Sequence, residues 1–182
     1  RFKIFDLSDP AMRDFVILLN KKRYVYIYGY TNSIVAFAKY IIRNNICIKD
    51  VCPSLKLIIV TSELLFHDDR KLLVNAFKLP VYSEYGSSEF GYIGKEVHPE
   101  KWQVVDELLH VENDLDGNII ITDLNNKAFP FIKYNIGDRG EVFQNASGKI
   151  YIRKLTGRIN DQILLPSGRK SPGLTFYYIS RS

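Results

Sequence analysis

Apolar and polar positions follow a helix-and-strand rhythm in the first half of the chain and a strand-and-turn rhythm in the second. Residues 1–5 read as a short strand. Asp6-Leu7-Ser8-Asp9-Pro10 carries helix-start chemistry, with capping side chains and then a proline in the first turn. Met12, Phe15, Val16, Leu18 and Leu19 line one helical face, and Asn20-Lys21-Lys22-Arg23 ends it. Residues 24–28 mix β-branched and aromatic side chains and read as a buried strand closed by Gly29. Thr31-Asn32-Ser33 then caps a helix over 34–43, whose Ile34, Val35, Phe37, Ala38, Ile41 and Ile42 form a broad apolar face. A strand at 55–60, a helix at 67–77 and a strand at 79–82 follow. Strand, helix, strand, helix, strand implies a parallel, right-handed α/β layer. Loops after its strands begin at Gly29, Thr61 and Ser83, all on the edge where such sheets place ligands.

The second half changes period. Residues 103–105, 108–111 and 118–122 are short strands, with Asp114-Leu115-Asp116-Gly117-Asn118 as a hairpin turn. A second hairpin joins 140–143 to 149–153 across Asn145-Ala146-Ser147-Gly148. Residues 163–165 and the Pro166-Ser167-Gly168-Arg169 turn suggest a third. The expected fold class is therefore α/β: a parallel α/β layer followed by an antiparallel β meander or a distorted small barrel.

Composition narrows this picture little. The 182 residues are 46% hydrophobic and 25% charged, ordinary for a globular chain. The net charge of +5 is scattered and forms no run of four basic residues, so no nucleic-acid partner is indicated. It suits anionic small molecules such as nucleotides. No apolar run is long enough to span a bilayer. Cys47 and Cys52 fit neither a redox pair nor a zinc knuckle and read as two free, buried thiols in a reducing, cytoplasmic setting. The chain does not begin with Met, and the expectation is a piece of a longer protein.

The candidate chemistry centres on Tyr82-Ser83-Glu84-Tyr85-Gly86-Ser87-Ser88-Glu89-Phe90-Gly91. A glycine there turns the backbone at a strand end, and two hydroxyls and a carboxylate follow. Loop amides and hydroxyls suit phosphate, and a carboxylate suits the magnesium that accompanies it. The same residues also suit a plain turn. Three further patches stand in the same position, each with an ordinary alternative. Asp138 follows a tight Gly-Asp turn and could accept both hydroxyls of a ribose, or merely start a hairpin. Arg158 could grip ribose or phosphate, or form a surface ion pair. Thr61-Ser62-Glu63 at a strand end could border a ligand, or cap a helix.

The order and spacing of these patches resemble the adenylate-forming enzymes, the acyl/aryl-CoA ligase and luciferase superfamily, and within it the phenylacetate-CoA ligase, coenzyme F390 synthetase and CapK-like branch. Gly29-Tyr30-Thr31-Asn32-Ser33 with Ala38-Lys39-Tyr40 resembles that branch's GYPSS…AK segment, and Thr61-Ser62-Glu63 its adenine loop. Tyr85-Gly86-Ser87-Ser88-Glu89 resembles YGxTE. Ile121-Thr122-Asp123-Leu124, followed by 130–138, resembles TDL…MPxIRYxxGD. Gly157-Arg158-Ile159-Asn160-Asp161 resembles the GRxDD hinge.

The resemblance implies an AMP-forming acid–thiol ligase that uses ATP, Mg²⁺ and, as acceptor, coenzyme A. It implies that Glu89 helps hold Mg²⁺, Ser88 touches the α-phosphate, and Tyr85, Gly86 and Ser87 border the nucleotide with Ser62 and Glu63. Asp138 takes the ribose hydroxyls, assisted by Arg158. Asn160 is the hinge position, where Asp is usual in the family. Tyr30, Tyr82 and Phe90 are implied walls of the acid pocket. Residues 1–156 would be the second half of the large adenylation domain, with the α/β layer over 1–90 and the meander over 91–156. Residues 157–182 would be the hinge and the start of a lid domain. The family's phosphate loop lies upstream of residue 1, and its late lysine lies in the lid, so this stretch alone is expected to be inactive. No structural zinc is expected, since the span 90–121 holds no cysteine and only His98 and His110. A small carboxylic acid and a nucleotide are the expected partners, with room for a homodimer of the intact protein. A different class stays open: a non-catalytic nucleotide- or partner-binding module with the same fold.

Overall fold

The computed structural model describes residues 6–158, 162–164, 166 and 170–172. It divides into two compact units, one running to Glu96 and the other from Val97.

In the first unit, α1 (Asp9–Lys21) precedes β1 (Tyr26–Tyr30), α2 (Thr31–Arg43), α3 (Ile48–Val51), β2 (Leu57–Thr61), α4 (His67–Phe77), β3 (Val81–Ser87) and β4 (Gly91–His98). β1, β2 and β3 pair in parallel, in register Tyr28↔Ile59 and Ile59↔Tyr82, and β4 joins β3 antiparallel. One core lies on one face of this sheet. Ile27, Ile58, Val60 and Val81 face Met12 and Leu19 of α1, Val35, Phe37, Ala38 and Ile41 of α2, and Leu73 and Phe77 of α4. The Phe37 ring meets Phe15 edge-on at 4.8 Å. Because strand side chains alternate, the other face carries Tyr26, Tyr28, Ile59 and Tyr82, and the three tyrosines are exposed.

Several expectations shift. β1 is apolar-in on one side only, so it is not buried on both faces. Gly29 does not end it; the strand runs to Tyr30 and α2 starts at once with Thr31. The N-cap position is Tyr30, with no side-chain cap bond, so Thr31, Asn32 and Ser33 lie inside the helix rather than before it. Gly86 does not turn the chain either. It lies inside β3 beside a bulge, and the turn comes at residues 88–90. Cys52 is buried, whereas Cys47 is exposed at the start of α3. The helix over 67–77 stands as expected and stops at Lys78, whose φ of 53° is left-handed.

A buried ion pair fixes the entry into β3. Glu96 of β4 accepts from Arg70 of α4 at 2.5 Å and from the Ser83 amide at 2.8 Å. Arg70 also donates to the Val81 carbonyl at 2.7 Å.

The second unit contains β5 (Lys101–Val104), β6 (Leu109–Asn113), β7 (Asn118–Asp123), β8 (Tyr134–Gln144) and β9 (Ile150–Arg158), in the spatial order β5-β9-β8-β7-β6 and antiparallel throughout. β10 (Gln162–Leu164) and β11 (Lys170–Pro172) make a separate antiparallel pair. The predicted β6–β7 turn forms as read. Asp114 accepts from the amides of Asp116 and Asn118, and Gly117 takes a φ of 80° that favours glycine. Asn145 does the same for the β8–β9 hairpin, accepting from the amides of Ser147 and Lys149. Trp102, Leu109, Val111, Ile119, Ile121 and Ile152 are buried. Trp102 Nε1 has no hydrogen-bond partner among the described residues.

The fold is thus α/β, parallel at the start and antiparallel after, as the residue pattern implies.

Candidate functional site

Three parallel strands end on one edge at Tyr30, Thr61 and Ser87. Loops at that edge are tied to one another. Thr31 Oγ1 donates to the Glu63 carbonyl at 2.9 Å. The Glu63 carboxylate accepts from the Asn32 amide at 2.8 Å and from Asn32 Nδ2 at 2.6 Å. A carboxylate from the β2 loop therefore closes the N-terminus of α2, where unpaired amides and the helix dipole favour negative charge. Ser62, between Thr61 and Glu63, is exposed and takes a left-handed φ of 71°. Glu63→Ala is expected to lower stability by about 1–2 kcal/mol, the usual loss for a helix N-terminal partner, read by denaturant unfolding.

Tyr85 is buried and Gly86 sits between β3 and the turn into β4. A Cβ on Gly86 would strike the Gly91 carbonyl oxygen, so the backbones meet at a distance only glycine permits. The Ser87 hydroxyl accepts from the Phe90 amide at 3.2 Å and shapes the turn. Ser88 and Glu89 are exposed on that turn, and Phe90 is half-buried. Single exposed carboxylates on such turns fit a magnesium ion that keeps most of its shell from phosphate and water. Among the described residues, no three His, Cys, Asp or Glu side chains gather as a metal cluster.

On the opposite sheet face, Tyr30 and Tyr82 are exposed. The same face carries a residue that the motif reading passed over. Glu84 lies two positions after Tyr82 on β3, and the Tyr28 hydroxyl donates to it at 2.9 Å. Burial, and then the Glu84 bond and charge, push the Tyr28 hydroxyl above the usual phenol range, against a contact with Thr61 that lowers it. Burial and then the Glu84 charge do the same to Tyr92. The available signal was a carboxylate in step with Tyr82 on a β-run of period two.

The second unit carries the other predicted pair. Asp138 of β8 is half-buried and stands opposite Arg158 of β9 in strand register. Gly137 turns just before it with φ 83°, and its amide donates to Asn135 at 2.9 Å. Two residues nominated separately from sequence are thereby neighbours. Asn160 lies outside the described residues.

No protein-family model matches the chain, and no curated protein matches it. Solved structures do. The 2-hydroxyisobutyryl-CoA ligase in an open conformation, in complex with 2-HIB-AMP and CoA, aligns with a TM-score of 0.69 at 18% identity, over 96% of this chain and 45% of that one. The anthranilate CoA ligase AuaEII with anthranoyl-AMP gives 0.60 at 15% identity, over 92% and 36%. Apo MatB from Rhodopseudomonas palustris gives 0.59 at 14% identity, over 88% and 36%. The chain therefore has the fold of part of these ligases and spans less than half of their length.

Proposed function

We propose that this chain is the central part of an AMP-forming ligase of the adenylate-forming superfamily, related to the phenylacetate-CoA ligase branch. A carboxylate oxygen of the acid attacks the α-phosphorus of ATP, the bond to the β-phosphate breaks, and pyrophosphate leaves. A thiol, that of coenzyme A, then takes the acyl group and releases AMP. The observation that supports this reading best is the likeness over 96% of the chain to a ligase in complex with both an acyl-AMP and CoA. The polar stretch 83–89 at the edge of three parallel strands agrees with it.

In this reading Ser88 binds the α-phosphate and Glu89 holds Mg²⁺, both from an exposed turn that leaves their heads accessible. Tyr85, Gly86 and Ser87 shape the backbone beside the nucleotide, with Ser62 and Glu63 across the same edge. Asp138 accepts the ribose hydroxyls, Arg158 assists it, and Asn160 is the pivot of a lid. The residues' work is positioning and charge neutralisation. Residues 1–156 belong to the adenylation domain and 157–182 begin the lid, and the protein acts in the cytoplasm.

The test is ATP–pyrophosphate exchange by the intact protein across aryl and short acyl acids. Asp138→Ala is expected to lower exchange roughly ten- to hundred-fold, the loss of charged hydrogen bonds to a ligand. An unchanged rate would remove Asp138 from the site. AMP binding without exchange for any acid would favour the non-catalytic module instead.

A further inference from the structure

Among the described residues, Glu84 is the one carboxylate on the open face of the first unit's sheet, hydrogen-bonded to a phenol and opposite Lys95 in strand register. Glu84 lies just before Tyr85, at the ligand edge, and is half-buried. Tyr28 donates to one of its oxygens, Oε1, at 2.9 Å. The register places Tyr28, Ile59 and Tyr82 in one row across three strands, with Glu84 one step further along β3 on the same face. Tyr92 of β4 is close enough to feel its charge. Lys95 is opposite Glu84 in the antiparallel register, yet no lysine or arginine among the described residues pairs with Glu84 within 4.0 Å. A carboxylate only accepts hydrogen bonds, and one phenol supplies a single proton to it. Oε2 therefore has room for a further donor, and beside a carboxylate on a tyrosine-rich sheet face a positively charged donor gains most.

We propose that Glu84 sets the acid specificity of this protein by receiving a protonated amine of the substrate. The acid activated is then an amino acid in the broad sense, a carboxylic acid bearing an ammonium group remote from the reacting carboxylate. This rests on the ligase reading for the reaction but not for the binding. The ammonium stays protonated throughout, and Glu84 takes no part in bond making.

The measurement pairs isosteric acids: 6-aminohexanoate against heptanoate, and 4-(aminomethyl)benzoate against 4-ethylbenzoate. Each is titrated calorimetrically into the intact protein and assayed by ATP–pyrophosphate exchange. The amine of at least one pair should bind ten-fold or more tightly than its partner and be preferred in exchange. Glu84→Gln should erase that preference while leaving the neutral acid's binding unchanged. Tyr28→Phe, which removes only the hydroxyl, should keep the preference, and it serves as a second variant if Glu84→Gln does not fold. Equal binding of both members of every pair, or a preference that survives Glu84→Gln, overturns the proposal. So does a Tyr28→Phe protein that no longer tells amine from neutral acid. An amine preference in binding without exchange for any acid supports the Glu84 contact and removes the ligase reading. Exchange that favours the neutral acids removes the Glu84 contact and supports the ligase.

Discussion

Arg70→Met is expected to destabilise the first unit by about 3–5 kcal/mol, measured by urea unfolding. The reason lies in what remains behind. The Glu96 side chain is 2% exposed and Arg70 17% exposed, so removing the guanidinium takes the paired cation away from a carboxylate almost fully out of water. Glu96 would keep the Ser83 amide at 2.8 Å, a neutral donor that does not replace the lost cation. The Val81 carbonyl loses its side-chain donor as well. Replacing both charges should recover most of the loss. In Arg70→Met/Glu96→Gln the amide oxygen still accepts from Ser83, and nothing charged is left buried. A double variant as unstable as the single one would show that the ion pair is not the cause.

Gly86→Ala is expected to cost about 2–3 kcal/mol and to disturb the turn that presents Ser88 and Glu89. The added methyl meets a backbone carbonyl, which cannot rotate away as the end of a side chain could. Gly91→Ala is the useful contrast. Its φ of 64° is left-handed, but its added Cβ would meet nothing within 4 Å, so about 1 kcal/mol is expected. Equal losses in the two variants would mean that conformational preference, not close approach, explains Gly86. Under the proposed ligase function, the Gly86→Ala loss extends to ATP–pyrophosphate exchange by the intact protein, since strand and turn shift together.

These two positions also show where sequence reading reached and where it stopped. α4 was legible because its apolar spacing, with Leu73 and Phe77 buried on one face, is local. The β6–β7 and β8–β9 turns were legible because Asp114, Asn145 and the following glycines act on their own neighbours. β4 was not. Its pattern is broken by Glu96, a carboxylate at an inward position that makes sense only once Arg70, 26 residues earlier, comes beside it. Gly86 read as a turn because its true constraint is the carbonyl of Gly91, invisible until the strands pair. The start of α2 was missed by local capping rules because its partner, Glu63, arrives from another loop. At the candidate site, Tyr85 to Glu89 and Asp138 could be nominated by motif alone. Glu84 could not, since its meaning depends on Tyr28, 56 residues away.

The unpaired indole of Trp102 has a practical use. It is the only tryptophan in the chain and belongs to the second unit, whereas eight of the twelve tyrosines, through Tyr92, belong to the first. Indole fluorescence therefore reports on the second unit alone, and near-ultraviolet tyrosine signals report mainly on the first. Two probes that melt together would mark one cooperative transition, and two that melt apart would give each unit its own stability.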